Sequence, residues 1–201
     1  GVNKIWLIVG GIFSALEPLA FLAMALFAVY MYRKGEKSHP NKIALFWTIG
    51  ASIVSFIGAG LLGFAHTLPQ TNIYTHGTLV TAMHGHYAFW GAYAMIVLAI
   101  ISYAMPNMTG RKLYDSTRGH MAFWLSNVGM LGMTVAFGVA GVAQVYLERK
   151  MKMDFMDVQN EISIHFVVLL LCASLFATGI TLYILEFIKY GKPTDEALVK
   201  E

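Results

Sequence analysis

Charged side chains and cysteines are both scarce in this sequence of 201 residues. Only 12% of the residues are Asp, Glu, Lys or Arg, whereas about a quarter of an ordinary soluble domain is charged. This composition argues against a soluble globular protein, and because no basic stripe is present it also argues against nucleic-acid binding. The single cysteine, Cys172, excludes an internal disulfide and lies in an apolar run, which is typical of a small packing residue.

An initiating methionine and a signal-peptide pattern are lacking too, since the chain begins Gly1-Val2-Asn3. We therefore expect a processed product or a portion of a longer protein. The sequence also shows no internal repeat and no low-complexity segment.

Long apolar runs make up most of the chain. Hydrophobic residues account for 57% of the sequence, and its mean hydropathy is +0.61. Such runs are long enough to cross a bilayer as helices. The pattern predicts an all-α, polytopic transmembrane helix bundle that forms a single region without a soluble domain. We expect five helices, at about 4–32, 43–65, 78–105, 120–147 and 161–187.

The lysines and arginines indicate how these helices are oriented. Ten of the fourteen fall on one side of the membrane if the five helices alternate in direction. The loop between the second and third helices, residues 66–77, has none. Because positively charged loops stay in the cytoplasm, we expect residues 66–77 to face the outside.

Two histidines, His84 and His86, interrupt the third apolar run. Successive side chains on a helix are about 100° apart, so these two differ by roughly 200° and point to nearly opposite sides. Histidines that bind one metal from one helix are more often four residues apart, so this spacing favours two separate ligand sites. A lone buried histidine is usually a hydrogen-bonded core residue, but two in one membrane segment indicate function, because polar groups are costly there. Haem is flat and apolar and takes an axial imidazole, which makes it the natural ligand.

The first apolar run contains Glu17-Pro18 near its middle. Pro18 removes a backbone hydrogen bond and can kink the helix. Glu17 could be a protonated structural acid bonded to a neighbouring helix. Alternatively, an acid inside a membrane segment indicates a proton path, an ion or a metal centre, and we favour this interpretation.

Other polar and small residues lead to expectations about packing. Pro106 is expected to end the third helix. Ser126 and Asn127 are expected to hydrogen-bond to neighbouring helices, and Gly58-Ala59-Gly60 is expected to let helices pack closely.

The loop at residues 66–77 is polar and has a histidine at each end, His66 and His76. These groups could be helix caps and anchors at the membrane interface. They could equally cap a cofactor at the membrane edge and bind its carboxylates. His76 precedes His84 by two helical turns, or roughly 12 Å.

These residues together carry a resemblance to a known family. The stretch from His66 to His86, with His76 and His84 at their spacing and Glu17-Pro18 upstream, resembles the haem-binding helix of the haem-copper oxidase superfamily. It is most similar to the large subunits of bacterial nitric oxide reductases. The resemblance implies a multi-pass enzyme of the bacterial inner (cytoplasmic) membrane that reduces two nitric oxide molecules to nitrous oxide and water.

The resemblance also implies a role for each matched residue. His84 would be the proximal ligand of a high-spin haem b, and His86 an axial ligand of a low-spin haem b that delivers electrons. Glu17 would lie near a non-haem iron and tune it or deliver protons. His76 would contact the haem propionates, with Thr67 in the same region, and calcium at the propionates is a further expectation.

The resemblance is incomplete in one respect. Large subunits of the family have about twelve helices, and the histidines for the non-haem iron and the second low-spin ligand belong to an N-terminal part that is missing here. This chain therefore resembles a C-terminal portion, which needs that N-terminal part as another chain or as further sequence. The resemblance implies a haem-c electron-donor subunit or quinol as a further partner, with lipid around the helices.

Three other functions remain open. An oxygen-reducing haem-copper oxidase would have copper in place of the non-haem iron, although Glu17 and the His84-Gly85-His86 sequence favour nitric oxide reduction. A non-catalytic di-haem electron-transfer protein would have two six-coordinate haems that bind no gas. A transporter with Glu17 in its ion path would contain no haem.

Overall fold

The computed structural model of the chain describes residues 3–35, 41–109 and 116–190. Within these ranges no strand is formed, and five helices are long and apolar enough to cross a bilayer. The predicted all-α, polytopic membrane bundle is therefore confirmed. The five membrane helices are Ile5–Lys34, Lys42–Thr67, Leu79–Thr109, Thr117–Lys150 and Ser163–Ile188.

The first membrane helix is interrupted near its middle. It consists of Lys4–Ser14 and Leu16–Lys34, with Ala15 between them. Because Pro18 has no N–H, the carbonyl four residues earlier lacks its helical donor, and the interruption falls directly after that residue. The break agrees with the predicted effect of Pro18 and lies within one turn of Glu17.

The third membrane helix passes through Pro106 and ends at Thr109, so the expectation that Pro106 ends it is wrong. Pro106 leaves the carbonyl of Ser102 without a helical donor. The side chain of Asn41, at the start of the second helix, supplies one, because its Nδ2 donates to the Ser102 carbonyl at 2.8 Å. Its Oδ1 accepts from the Ala44 N–H at 3.0 Å and caps the second helix. The helix tolerates proline because the buried carbonyl keeps a partner.

Replacing Asn41 with leucine is expected to destabilise the protein. The change leaves two backbone groups without these partners, and each unsatisfied buried group costs about 1–3 kcal/mol. Thermal unfolding of the purified protein in detergent measures the effect. Asn107→Leu is the matched control, because Asn107 is exposed and its Nδ2 donates only to Tyr103 of the same helix. Equal losses in both variants would contradict the bridging role of Asn41.

Two glycines bring the second and third membrane helices into backbone contact. A Cβ on Gly58 would lie 2.7 Å from the backbone of Tyr87 and Ala88, and one on Gly91 would lie 2.6 Å from the Ser55 nitrogen. The predicted close packing at Gly58 is confirmed. Since Gly58 faces the third helix close to His84, this contact also places the second helix beside the predicted haem ligand.

Three of the membrane helices contain π-helical turns, in which each N–H bonds to a carbonyl five residues earlier. The segments are Phe56–Leu62, Trp90–Ala94 and Tyr146–Lys150. Turns of this kind often mark functional sites. The first one contains Gly58 and the second begins shortly after His86.

The core lies among the second, third, fourth and fifth membrane helices. Trp47 is fully buried and packs edge-to-face against Trp90, Phe123 and Tyr183. Edge-to-face packing of this kind is a favoured geometry for aromatic rings. In contrast, the most apolar part of the first membrane helix has no buried residue. It is therefore held mainly through its contacts with the second helix and the loop that follows.

The two polar residues predicted to join helices behave differently. Asn127 accepts a hydrogen bond from the Trp90 indole at 3.1 Å, which confirms that it links the fourth helix to the third. Ser126 instead donates to the carbonyl of Ala122 in its own helix, so its predicted interhelical bond is wrong. Gly179 explains the difference, because a Cβ there would lie 2.4 Å from the Ser126 nitrogen and the fifth helix already packs directly on this backbone.

Two short helices lie in the connections. Pro69–Thr75 follows the second membrane helix and begins with proline, which is favoured at a first helical position. Phe155–Glu161 precedes the fifth membrane helix. The chain turns at Ile162 before Ser163–Tyr190 begins, so Glu161 belongs to the short helix and not to the fifth membrane helix as expected.

Candidate haem-binding site

His84 and His86 lie on opposite sides of the third membrane helix, as their spacing predicts. His84 faces the second helix, where its Nδ1 lies 2.9 Å from the Gly58 carbonyl oxygen. His86 faces the fourth helix, where its ring packs on Phe137 with the ring centroids 4.9 Å apart. The helix therefore offers two separate imidazoles, and their roles as haem ligands stay predictions.

The hydrogen bond to Gly58 fixes the tautomer of His84. A carbonyl oxygen accepts hydrogen bonds only, so Nδ1 carries a proton, and in the neutral ring the lone pair lies on Nε2. The ring edge sits close to the second helix, since a Cβ on Gly63 would lie 3.3 Å from Cε1 of His84. An imidazole that is oriented by an Nδ1–H bond to a carbonyl and has a free Nε2 suits an axial metal ligand.

His86 reaches the same tautomer within its own helix. Its Nδ1 lies 2.8 Å from the carbonyl oxygen of Ala82, so in the neutral ring the lone pair is again on Nε2. The His86 side chain is exposed, whereas that of His84 is half-buried. A second ligand for a metal bound at His86 therefore has room to approach from outside the described residues.

A cavity of about 1170 Å³ lies where the first, second and third membrane helices meet. Pockets for small molecules and cofactors typically measure about 300–1,000 Å³, so this one is large enough for a cofactor. Its polar wall includes Glu17, Thr67, His66 and His84, and the remaining wall is mostly apolar. The structure thus brings together three of the predicted site residues, which are Glu17, Thr67 and His84.

Glu17 is exposed within this cavity, next to the break in the first helix. Among the described residues it forms no hydrogen bond and no ion pair. This finding does not support the alternative in which Glu17 is a structural acid bonded to a neighbouring helix. A carboxyl group in this setting can instead bind a metal or exchange a proton with a group in the cavity.

The two remaining predicted residues lie toward the loop. Thr67 lines the cavity, and its hydroxyl donates to the Phe64 carbonyl at 2.8 Å. His76 is exposed at the end of the short helix Pro69–Thr75 and is not among the residues that line the cavity. Neither observation tests the predicted contact with haem propionates.

His66 is the residue whose position the sequence did not indicate. Its ring stacks on that of His84, with centroids 5.3 Å apart and an angle of 25° between the ring planes. Its Nε2 lies 3.3 Å from the hydroxyl oxygen of Thr81. The sequence predicts only that His66 lies at the edge of a polar loop. The one feature that could have indicated its contact with His84 is its position at the end of the helix that precedes the His84 helix.

The described residues provide the ligand and the apolar walls that a haem requires. They provide only part of the ligand set that a second metal requires. A haem requires an axial imidazole and apolar walls, which His84 and the cavity provide. No group of three or more His, Cys, Asp or Glu within the described residues could hold a metal ion. A metal beside Glu17 would therefore need further ligands from residues outside this part of the chain.

Comparison with known proteins agrees with these features. The family model for cytochrome c and quinol oxidase polypeptide I matches residues 1–183. A nitric oxide reductase subunit of Stutzerimonas stutzeri is 42% identical over 200 residues, which cover 96% of this chain and 42% of that protein. Cytochrome c oxidase subunit 1 of Corynebacterium diphtheriae is 33% identical over 86 residues, covering 43% of this chain and 15% of that protein. The chain spans less than half the length of these relatives, and it belongs to the cytochrome c and quinol oxidase polypeptide I family of the haem-copper oxidases.

Proposed function

We propose that this chain is a C-terminal portion of the large subunit of a membrane nitric oxide reductase. The enzyme would reduce two nitric oxide molecules to nitrous oxide and water with two electrons and two protons. The observation that carries the proposal is that Glu17 and His84 line the same cavity. The similarity over 96% of the chain to the nitric oxide reductase protein of Stutzerimonas stutzeri supports it.

In this proposal each histidine of the third helix holds one haem. His84 would hold a high-spin haem b through Nε2, with its Nδ1 still bonded to Gly58. His86 would hold a low-spin haem b together with a residue from the N-terminal part of the large subunit. When bound, the two haems supply electron transfer and a gas-binding iron.

In this proposal Glu17 takes up and releases protons at the reacting centre. The reaction consumes two protons as one oxygen atom leaves as water. A carboxyl group that lies in the cavity without a cationic partner among the described residues can hold a proton on one oxygen and release it. Its position also suits it to lie near a non-haem iron whose other ligands come from the N-terminal part.

The loop residues complete the proposal. His76 and Thr67 would contact the haem propionates, with calcium as a further cofactor at this edge. The chain would act in the bacterial inner membrane together with its N-terminal part and a haem-c donor protein or quinol.

Metal and haem analysis of the full membrane complex tests this function. We expect two haems b and one additional iron without copper, and a carbon monoxide difference spectrum from one haem. Haem that binds no gas would instead indicate an electron-transfer protein. A complex without haem would disprove the role given to His84 and His86.

An oxygen-reducing oxidase is the second candidate, and the match to a cytochrome c oxidase subunit 1 favours it. That match covers only 43% of this chain, compared with 96% for the nitric oxide reductase protein. The same metal analysis separates the two functions, because the oxidase would contain copper in place of the additional iron.

Replacing His86 with alanine is expected to remove the low-spin haem and leave the high-spin haem in place. The two rings lie on opposite sides of the helix, His84 against Gly58 and His86 against Phe137, so losing one should not disturb the other. Activity should fall by at least about 100-fold, because even residues behind a metal ligand contribute 10–100-fold. Reduced-minus-oxidised spectra measure each haem. Loss of both haems, or of neither, would contradict separate ligand roles.

A further inference from the structure

We propose that His66 is a positioning residue that fixes the ring plane of His84 and thereby the bond between His84 and the high-spin haem. The inference rests on the proposed function in one respect, since it requires a haem at His84. It adds a residue that the ligand set itself does not contain.

The need for such a residue follows from the way His84 is held. Among the described residues its one hydrogen bond, from Nδ1 to the Gly58 carbonyl, restrains the rotation of the ring about the Cβ–Cγ bond. The ring can still turn about that bond over the range of angles that a single hydrogen bond tolerates. That motion would swing Nε2 away from a fixed iron position, so a second constraint on the ring face is required for a well-defined bond.

His66 supplies this constraint by covering the face of the His84 ring. The two rings are nearly parallel, with an angle of 25° between their planes and centroids 5.3 Å apart. On the ring edge, Gly63 has no side chain, and a Cβ there would come within 3.3 Å of Cε1. The ring face and Nδ1 are then both in contact, while Nε2 forms no hydrogen bond among the described residues.

His66 can restrain His84 only if it is held itself, and its hydrogen-bond contacts do this. Its Nε2 lies 3.3 Å from the Thr81 hydroxyl, which donates in turn to the Thr75 carbonyl at 3.0 Å. Its backbone carbonyl accepts a hydrogen bond from the Asn72 amide at 2.8 Å. These contacts tie His66 to the loop at residues 66–77, so the loop helps to orient the ligand at its own edge of the membrane.

Resonance Raman spectroscopy of the ferrous high-spin haem tests the inference, because the iron–histidine stretching band reports directly on this bond. In the full complex, His66→Ala removes the stacked ring, and the band should shift to lower frequency and broaden. High-spin haem should also be retained about 10-fold less strongly. His66→Phe keeps a flat ring, so it should restore a sharp band at the wild-type frequency. His165→Phe is the matched control, since that histidine lies in the fifth helix and bonds to Ile162.

The low-spin haem serves as the internal standard for folding. If His66→Ala prevents assembly of both haems, the iron–histidine band of His66→Phe still tests the inference. An unchanged band in His66→Ala would overturn the inference, and so would a band in His66→Phe that shifts as far as in His66→Ala. Either result with the haem still bound at His84 leaves the proposed function intact. Absence of haem from the wild-type complex would overturn the proposed function itself.

Discussion

Replacing His84 with alanine is expected to remove the high-spin haem and reduce nitric oxide turnover to background. The His84 imidazole lines the large cavity and is oriented by its Nδ1 bond to the Gly58 carbonyl. Without His84, the described residues would offer no imidazole at this position to hold a haem. The low-spin haem should remain, because His86 packs on Phe137 at the opposite side of the helix. Haem content and the carbon monoxide difference spectrum measure both outcomes.

Two controls make this result specific to ligation. Alanine is preferred to glycine because glycine inside a helix costs about 1 kcal/mol. His165→Ala removes a half-buried histidine of the fifth helix and should leave both haems in place. Added imidazole should restore part of the high-spin haem in His84→Ala, since the lost side chain leaves space for it. A variant that keeps a gas-binding haem without imidazole would contradict the role of His84.

Features that depend on helix geometry were predictable from the sequence. The opposite orientation of His84 and His86 follows from the helical repeat, which places side chains two residues apart on nearly opposite sides of any helix. The break beside Pro18 follows equally from local chemistry, because a proline always removes the same hydrogen bond. The apolar runs predicted five membrane helices for the reason that a bilayer demands a minimum length.

Features that depend on a partner distant in sequence were not predictable. The continuation of the third helix through Pro106 requires the amide of Asn41, which lies 61 residues before the Ser102 carbonyl that it satisfies. The stacking of His66 on His84 likewise depends on how closely the second and third helices pack. That approach is set by the size of Gly58 and by where the π-helical turn falls, and hydrophobic patterning reports neither.

The cavity owes its shape to residues that each have a local explanation. Pro18 breaks the first helix next to Glu17, and the π-helical turn of the second helix carries the Gly58 carbonyl that orients His84. Both irregularities face the same space. Two of the departures from ideal helix geometry therefore lie beside the proposed site, as is common for functional positions.

Replacing Glu17 with glutamine is expected to lower turnover by about 100-fold or more while both haems remain bound. A positioned acid or base typically contributes 10²–10⁴-fold, and glutamine has nearly the same shape but cannot release a proton. The haems should be unaffected because Glu17 forms no hydrogen bond within the described residues, and the ring hydrogen bonds of His84 and His86 go to backbone carbonyls. Steady-state turnover, together with haem spectra of the same preparation, measures the effect.

Iron analysis separates the two ways in which Glu17 could act. If it delivers protons, Glu17→Gln should keep the additional iron and show slow turnover with a larger solvent isotope effect than the wild type. If it helps to hold the iron, the variant should lose that iron, because an amide binds a metal more weakly than a carboxylate. Glu161→Gln is the control, since Glu161 is exposed at the end of a short helix and lies outside the cavity. Turnover that is unchanged in Glu17→Gln would remove this carboxyl group from the mechanism and leave the cavity as a haem pocket alone.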